Sequence, residues 1–335
     1  MAKFNISILP AGAWGTALAI PLSDNGHNVN LYFRQEKDAQ SFNKVRQNLK
    51  RLPKVKFNGI VSGTHNLGEA VSQADVLVLA CDSVHIRNFF TKTKSFLNRN
   101  TKILCVSKGI EEGTNLCMSD VIAEVEPNVR SRLAVLSGPN FAIEVAQRLP
   151  TLTVIASKNN ALAKLLQNIF TTKNFKVYTQ DDILGVELGG ALKNVIAIGV
   201  GIGDGLKMGE NGRAALITRG ITEMIRLGTS MGANKLTFTG LSGMGDLILS
   251  CTSGKSRNHQ AGLMIGNGIS PKDLLNSKQT LEGLHTVKAA IALAKRKKVK
   301  IPIMETVYKI VYQNLKPKEA FKQLMKIELS SENGN

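Results

Sequence analysis

The chain has 335 residues, 43% of them hydrophobic, which suits one large or two medium domains with buried cores. Lys and Arg number 43 against 25 Asp and Glu, and the resulting formal charge of +18 attracts anions such as phosphorylated metabolites, nucleic acid or acidic lipid. Aromatic residues are only 5% and no base-stacking motif occurs, which argues against nucleic acid as the partner.

Cys81, Cys105, Cys117 and Cys251 lack C-x-x-C spacing. That argues against a zinc site or a disulfide framework and for a reducing compartment. The start, MAKFNISIL, carries no apolar stretch with a cleavage site, and no apolar run reads as long enough to cross a bilayer. A cytoplasmic protein without membrane insertion is expected.

In chain order, Ile6 to Leu9 reads as a short buried strand, followed by a small-residue loop and then a helical pattern. NVNLYF (28–33), ADVLVLA (74–80), KILCVS (102–107), LAVLSG (133–138) and LTVIAS (152–157) read as further strands. ADVLVLA is almost continuously apolar, as a strand covered on both faces should be. Strands alternating with helices imply a parallel, doubly wound sheet that presents ligands at the carboxyl ends of its strands.

The texture changes near FKVYTQDD (175–182). Beyond it lie a long helical stretch (181–206) and further helical patterns in 214–231, 286–297 and 302–314. The expected division is an α/β domain over 1–180 and an all-helical domain over 181–335. The basic run KRKKVK (295–300) follows a helical segment and reads as a solvated helix end.

The first loop places Gly12 and Gly15 at the second and third positions of G-x-G-x-x-G, with Pro10 at the first. The first glycine serves the tight turn, the second the close approach of phosphate, the third helix packing. The loop therefore reads as a working dinucleotide cradle with weakened coenzyme binding. Past the second strand, Arg34 stands 22 positions after Gly12, where Arg favours the 2′-phosphate of NADP; Glu36 nearby leaves NAD open.

Lys108-Gly109 and Gly138-Pro139-Asn140 also follow strands. Lys193 sits within the long apolar helix, sharing its face with Gly189 and Ala197. A buried amine must be paired, with Glu187 or Asp204 as structural partners, or else used for proton transfer near neutral pH. Asp246 follows a glycine-rich turn, and Ser256-Arg257-Asn258 gathers donors able to grip a phosphate.

These segments resemble the bacterial NAD(P)-dependent glycerol-3-phosphate dehydrogenases over nearly the whole chain. The matching blocks are AGAWGTALA, SKGIEEGT, LSGPNFAIEVA, the lysine-bearing VELGGALKNVIAIGVGIGDGLKMGENGRAALITRGITEM, and GLSGMGDLILSCTSGKSRN. The resemblance implies a Rossmann-type domain followed by a helical domain, usually as a homodimer. It also implies reversible hydride transfer between sn-glycerol 3-phosphate and dihydroxyacetone phosphate, feeding phospholipid synthesis.

By position, the resemblance makes Lys193 the general acid/base, oriented by Asp246 and Asn194. Lys108, Gly138, Asn140, Ser256, Arg257 and Asn258 become substrate contacts. Gly12, Ala13, Trp14, Gly15, Arg34, Lys108, Ala142, Arg257, Thr280 and Glu282 become coenzyme contacts, and no metal is implied. The chain departs from the pattern at Pro10, at Pro21 inside the first helix, and at Arg51 in place of an aromatic. Asp82 stands where a proline is usual and Asn140 where a serine is usual. A related hydroxyacid dehydrogenase and a non-catalytic cofactor-binding relic are the competing readings, and the phosphate-gripping SRN argues against the first.

Overall fold

The apolar runs and their spacing build an eight-stranded sheet in the order β3-β2-β1-β4-β5-β6-β7-β8. Its strands are β1 Asn5–Leu9, β2 Asn28–Tyr32, β3 Val61–Thr64, β4 Val76–Leu79, β5 Lys102–Cys105, β6 Leu133–Ser137, β7 Thr151–Ala156 and β8 Phe175–Gln180. The computed structural model describes residues 2–57, 59–276 and 281–324. Central β1 sets the register: Ile8 lies beside Leu31 of β2 and Val78 of β4. The intervening helices are α1 Ala13–Asp24, α2 Glu36–Val45, α3 Leu67–Ser72, α4 Ile86–Thr93, α5 Met118–Val125, α6 Ala142–Ala146 and α7 Asn160–Phe170. They cover both faces and bury Ile6, Ile8, Val76 and Leu104.

One expectation about the sheet needs correction. The first six strands are parallel, but β7 runs antiparallel to β6, with Leu136 beside Ile155, and β8 follows β7 in parallel. Between β6 and β7 the chain makes only the one-turn helix α6, which does not carry it back across the sheet to the end where β6 began. The chain therefore re-enters the sheet from the end it left.

From Ile183 onward the described residues are helical: α8 Ile183–Gly205, α9 Gly209–Ser230, α10 Lys235–Thr239, α11 Asp246–Thr252, α12 Arg257–Gly266, α13 Pro271–Leu275, α14 Glu282–Lys297, α15 Pro302–Tyr312 and α16 Pro317–Leu324. Against expectation, α8 is long and apolar enough to cross a membrane. It lies instead inside the helical layer, with α9, α11, α12, α14 and α15 packed around it. Leu188, Leu192, Val195 and Ile196 are fully buried there, each contributing about 1.5–3 kcal/mol.

Two buried carboxyls join elements. Glu187 of α8 accepts from the Ser119 N–H (2.8 Å) and hydroxyl at the start of α5, tying the helices to the sheet half. Glu223 of α9 accepts from the N–H groups of Ile303 (2.6 Å) and Met304 (3.1 Å), satisfying donors that the first turn of α15 cannot pair internally. Lys295, Arg296 and Lys297 form the exposed last turn of α14, where the negative end of the helix dipole favours cations.

Candidate active site

The carboxyl ends of β1, β4, β5 and β6 open towards α8, α11 and α12. At β1 the chain turns through Pro10 into α1. The Gly12 N–H donates to the Pro10 carbonyl (2.8 Å), so the turn closes on an acceptor that proline retains. Gly12 begins α1 with no side-chain cap, and a Cβ placed on it would meet nothing within 4 Å. There is therefore open space beside the start of α1, where a helix terminus can receive an anion. At Gly15 the reason is packing: a Cβ there would stand 2.7 Å from the Pro10 carbonyl and 2.9 Å from Ile8 Cγ2.

Ala13 and Trp14 start the helix, and Trp14 leans on the core of the sheet half. Arg34 is exposed just beyond β2, and Ala142 opens α6 beyond β6. These residues can hold a dinucleotide coenzyme along the strand ends. Thr280 lies outside the described residues.

The long helix brings Lys193 to the same end of the sheet. On α8, Gly190 faces the tip of β6, and a Cβ there would meet Ser137 Oγ at 2.6 Å. Gly189 faces the π-helical turn Leu241–Gly245, with the Ser242 carbonyl 2.7 Å from where a Cβ would be. That turn delivers Asp246 as the first residue of α11, next to Lys193 one helical turn further along α8.

Asp246 is buried and sits between two ammonium groups. Its Oδ1 is 3.0 Å from Lys193 Nζ and its Oδ2 accepts from Lys108 Nζ at 2.7 Å. Burial alone would raise the Asp246 carboxyl, but the charges of Lys108 and Lys193 outweigh it and hold the group below its ordinary value. Burial pushes the Lys108 ammonium below its ordinary range; Asp246 opposes this and Lys193 reinforces it.

Their hydrogen bonds separate the two lysines. Lys108 Nζ donates to Asp246, to the Gly138 carbonyl (3.0 Å) and to Asn140 Oδ1 (3.3 Å), which uses all three of its protons. Lys193 donates to Ser250 Oγ (2.6 Å) and pairs with Asp246, so two of its three N–H donors are engaged among the described residues. Glu187 and Asp204 do not pair with it: Glu187 is held by Ser119, and Asp204 by Arg213 and His259.

Around this cluster, Asn140 donates to Thr153 Oγ1 (3.1 Å) on β7. Asn194 accepts from Asn258 Nδ2 (2.9 Å), and Asn258 Oδ1 accepts from the Gly283 N–H (3.1 Å), linking α8, α12 and α14. Ser256 caps α12 by accepting from the His259 N–H (3.3 Å), and exposed Arg257 is that helix's first residue. Ser250 is a site residue the sequence reading missed. Its signal was present: it lies four positions after Asp246 on one helix, hence on the same face.

A nucleotide-type sheet whose strand ends meet a helical half bearing a buried amine belongs to the class of two-domain dehydrogenases. The family models for NAD-dependent glycerol-3-phosphate dehydrogenase match residues 5–163 (N-terminus) and 182–322 (C-terminus), and the chain belongs to that family.

Among its relatives, the glycerol-3-phosphate dehydrogenase [NAD(P)+] of Geobacillus thermodenitrificans is 45% identical over 323 residues, covering 96% of this chain and 94% of the relative. That of Bacillus subtilis is 43% identical over 322 residues, 96% and 93% of the two chains. The crystal structure of glycerol-3-phosphate dehydrogenase from Coxiella burnetii superposes with a TM-score of 0.89 at 35% identity, covering 97% of this chain and 99% of that one.

Proposed function

We propose that the protein interconverts sn-glycerol 3-phosphate and dihydroxyacetone phosphate with NAD(P), supplying glycerophospholipid synthesis. The observation that carries this reading is the contrast between the lysines: Lys108 is saturated by three acceptors, whereas Lys193 keeps one proton for a substrate oxygen. The nicotinamide coenzyme, when bound, supplies or accepts the hydride at C2. In the reducing direction Lys193 gives its proton to the C2 oxygen; in the oxidising direction it takes that proton back. Asp246 balances its charge and Ser250 fixes its direction, while Asn194 steadies the next position on α8. Lys108 adds positive charge where the C2 oxygen becomes negative.

Gly138 and Asn140 line the substrate's path. Ser256, Arg257 and Asn258 take the phosphate at the start of α12, where a helix N-terminus and a guanidinium coincide. Gly12, Ala13, Trp14, Gly15, Arg34, Lys108, Ala142, Arg257, Thr280 and Glu282 hold the coenzyme, and Arg34 favours NADP over NAD. A homodimer in the cytoplasm, with α8 a core helix and no membrane insertion, completes the reading. The buried ionisable groups of Glu187 and Lys193 within α8 support its reading as a core helix.

The test is oxidation of NADPH or NADH in the presence of dihydroxyacetone phosphate, followed at the absorbance of the reduced nicotinamide. Turnover with a 2-oxo acid but none with dihydroxyacetone phosphate would overturn the reading. Light scattering on the eluted protein decides the oligomer.

A further inference from the structure

In this sheet the direction of build-out reverses between β1 and β4, and ligands of such sheets bind beyond the strand ends at that point. Ser83 stands there, opening the 3-10 turn Ser83–His85 that follows β4. Its N–H donates to Oε1 of Glu282 at 3.1 Å, and its hydroxyl donates to Oε2 of the same carboxyl. Glu282 is the first residue of α14, in the helical half. Gly109, past β5, packs against the pair: a Cβ there would stand 3.1 Å from Glu282 Oε2. Chain from both halves therefore converges on one carboxyl at the mouth of the crevice.

We propose that Ser83 is a positioning residue for coenzyme binding: by holding Glu282 it ties α14 to the end of β4 and sets the width of the crevice in which the coenzyme lies. This rests on the reading that the coenzyme occupies the switch point. The groups facing the carboxyl are Asp82 beside Ser83 and Arg257 from α12, with Cys81 and Arg34 around the same pocket. Desolvation pushes the Glu282 carboxyl up to about 7; the two Ser83 bonds oppose this, Asp82 adds to it and Arg257 opposes it. Protonated, the tie carries no charge against an anionic coenzyme. Ionised, it does, so coenzyme affinity falls as the pH rises through about 7.

The experiment is titration with NADPH and with NADH from pH 6 to 9, read by calorimetry and by quenching of Trp14, the chain's one tryptophan. The melting temperature of the free protein and the KM for dihydroxyacetone phosphate are measured alongside. Ser83→Ala is expected to raise both coenzyme dissociation constants roughly fivefold, the worth of one neutral hydrogen bond, while the substrate KM stays within about twofold. Its pH inflection moves upward, because a donor to the ionised form is gone.

Glu282→Gln keeps an acceptor for the Ser83 N–H and a neutral partner for its hydroxyl but cannot ionise, so whatever its affinity at pH 6, its coenzyme dissociation constants stay flat across the pH range. Wild-type affinities and pH profiles in both variants, with only the melting temperature lowered, would make the bond merely structural and overturn the proposal. If Ser83→Ala does not fold, Glu282→Gln alone decides through its pH profile. Failure of the wild-type protein to bind either coenzyme would remove the underlying reading, and this inference with it.

Discussion

At the residue scale the chemistry depends on which proton each lysine has to give. Lys193 was conspicuous in the sequence as a charge within an apolar helix, but its partner was not. The sequence neighbours Glu187 and Asp204 are engaged elsewhere, and the partner is Asp246. Lys193→Ala is expected to lower kcat by roughly 10²–10⁴-fold, the usual worth of positioned acid/base catalysis, with the NADPH dissociation constant unchanged. Turnover within a few-fold of wild type would remove Lys193 from the mechanism. Arg34 is exposed past β2, so its effect should be confined to coenzyme choice. Arg34→Asp replaces a phosphate partner with a repelling charge and should move the ratio of kcat/KM values towards NADH; an unmoved ratio would mean a surface arginine only.

At the scale of elements, α1 and its entry loop are sensitive to a small change. Gly15 has no room for a side chain, since the Pro10 carbonyl and Ile8 Cγ2 both stand under 3 Å from a Cβ position. Gly15→Ala must push α1 off β1, at a cost of about 1–3 kcal/mol, and should weaken NADPH binding at least about tenfold by displacing the helix terminus from the pyrophosphate. Calorimetric titration of the variant with unchanged affinity would show that the α1 terminus is not the phosphate site.

Strand legibility follows burial. β4 and β6 are buried at every position and stand out as apolar runs. Edge strand β3 buries only Val61 and offers no such run. β8 buries Phe175 and Val177 in alternation with exposed Lys176 and Tyr178, and reads as a boundary until its pairing with β7 is seen.

At the scale of the whole molecule, stability should depend on pH through the carboxyls that join elements. Burial pushes Glu223 up to about 8 and Glu187 up to about 7, against ordinary values near 4.5. For groups raised in the folded state, the stabilising contribution is complete below the unfolded value and is lost as the pH rises through the folded one. Stability should therefore decline between about pH 5 and 8 on account of these two groups. Glu223→Gln cannot ionise, so its melting temperature should fall less steeply over that window, whatever its level. Thermal melts giving parallel slopes for the two proteins would show that Glu223 does not titrate there.

The sequence by itself determined the alternation of strands and helices, the glycine loop, the long helix with its one lysine, and the polar motif that opens α12. These are local properties: periodicity, turn chemistry and composition act over a few residues and need no partner. The tertiary structure alone decided that β7 runs antiparallel, because a strand's direction is set by the end of the sheet to which its connection returns, not by the strand's own residues. It also decided that α8, apolar enough for a bilayer, is covered by other helices. Above all it decided that Lys108, Lys193 and Asp246 share one cluster and that Ser83 meets Glu282. Those pairs are brought together by packing of elements far apart in the chain, and no local preference specifies which distant residue a buried charge will meet.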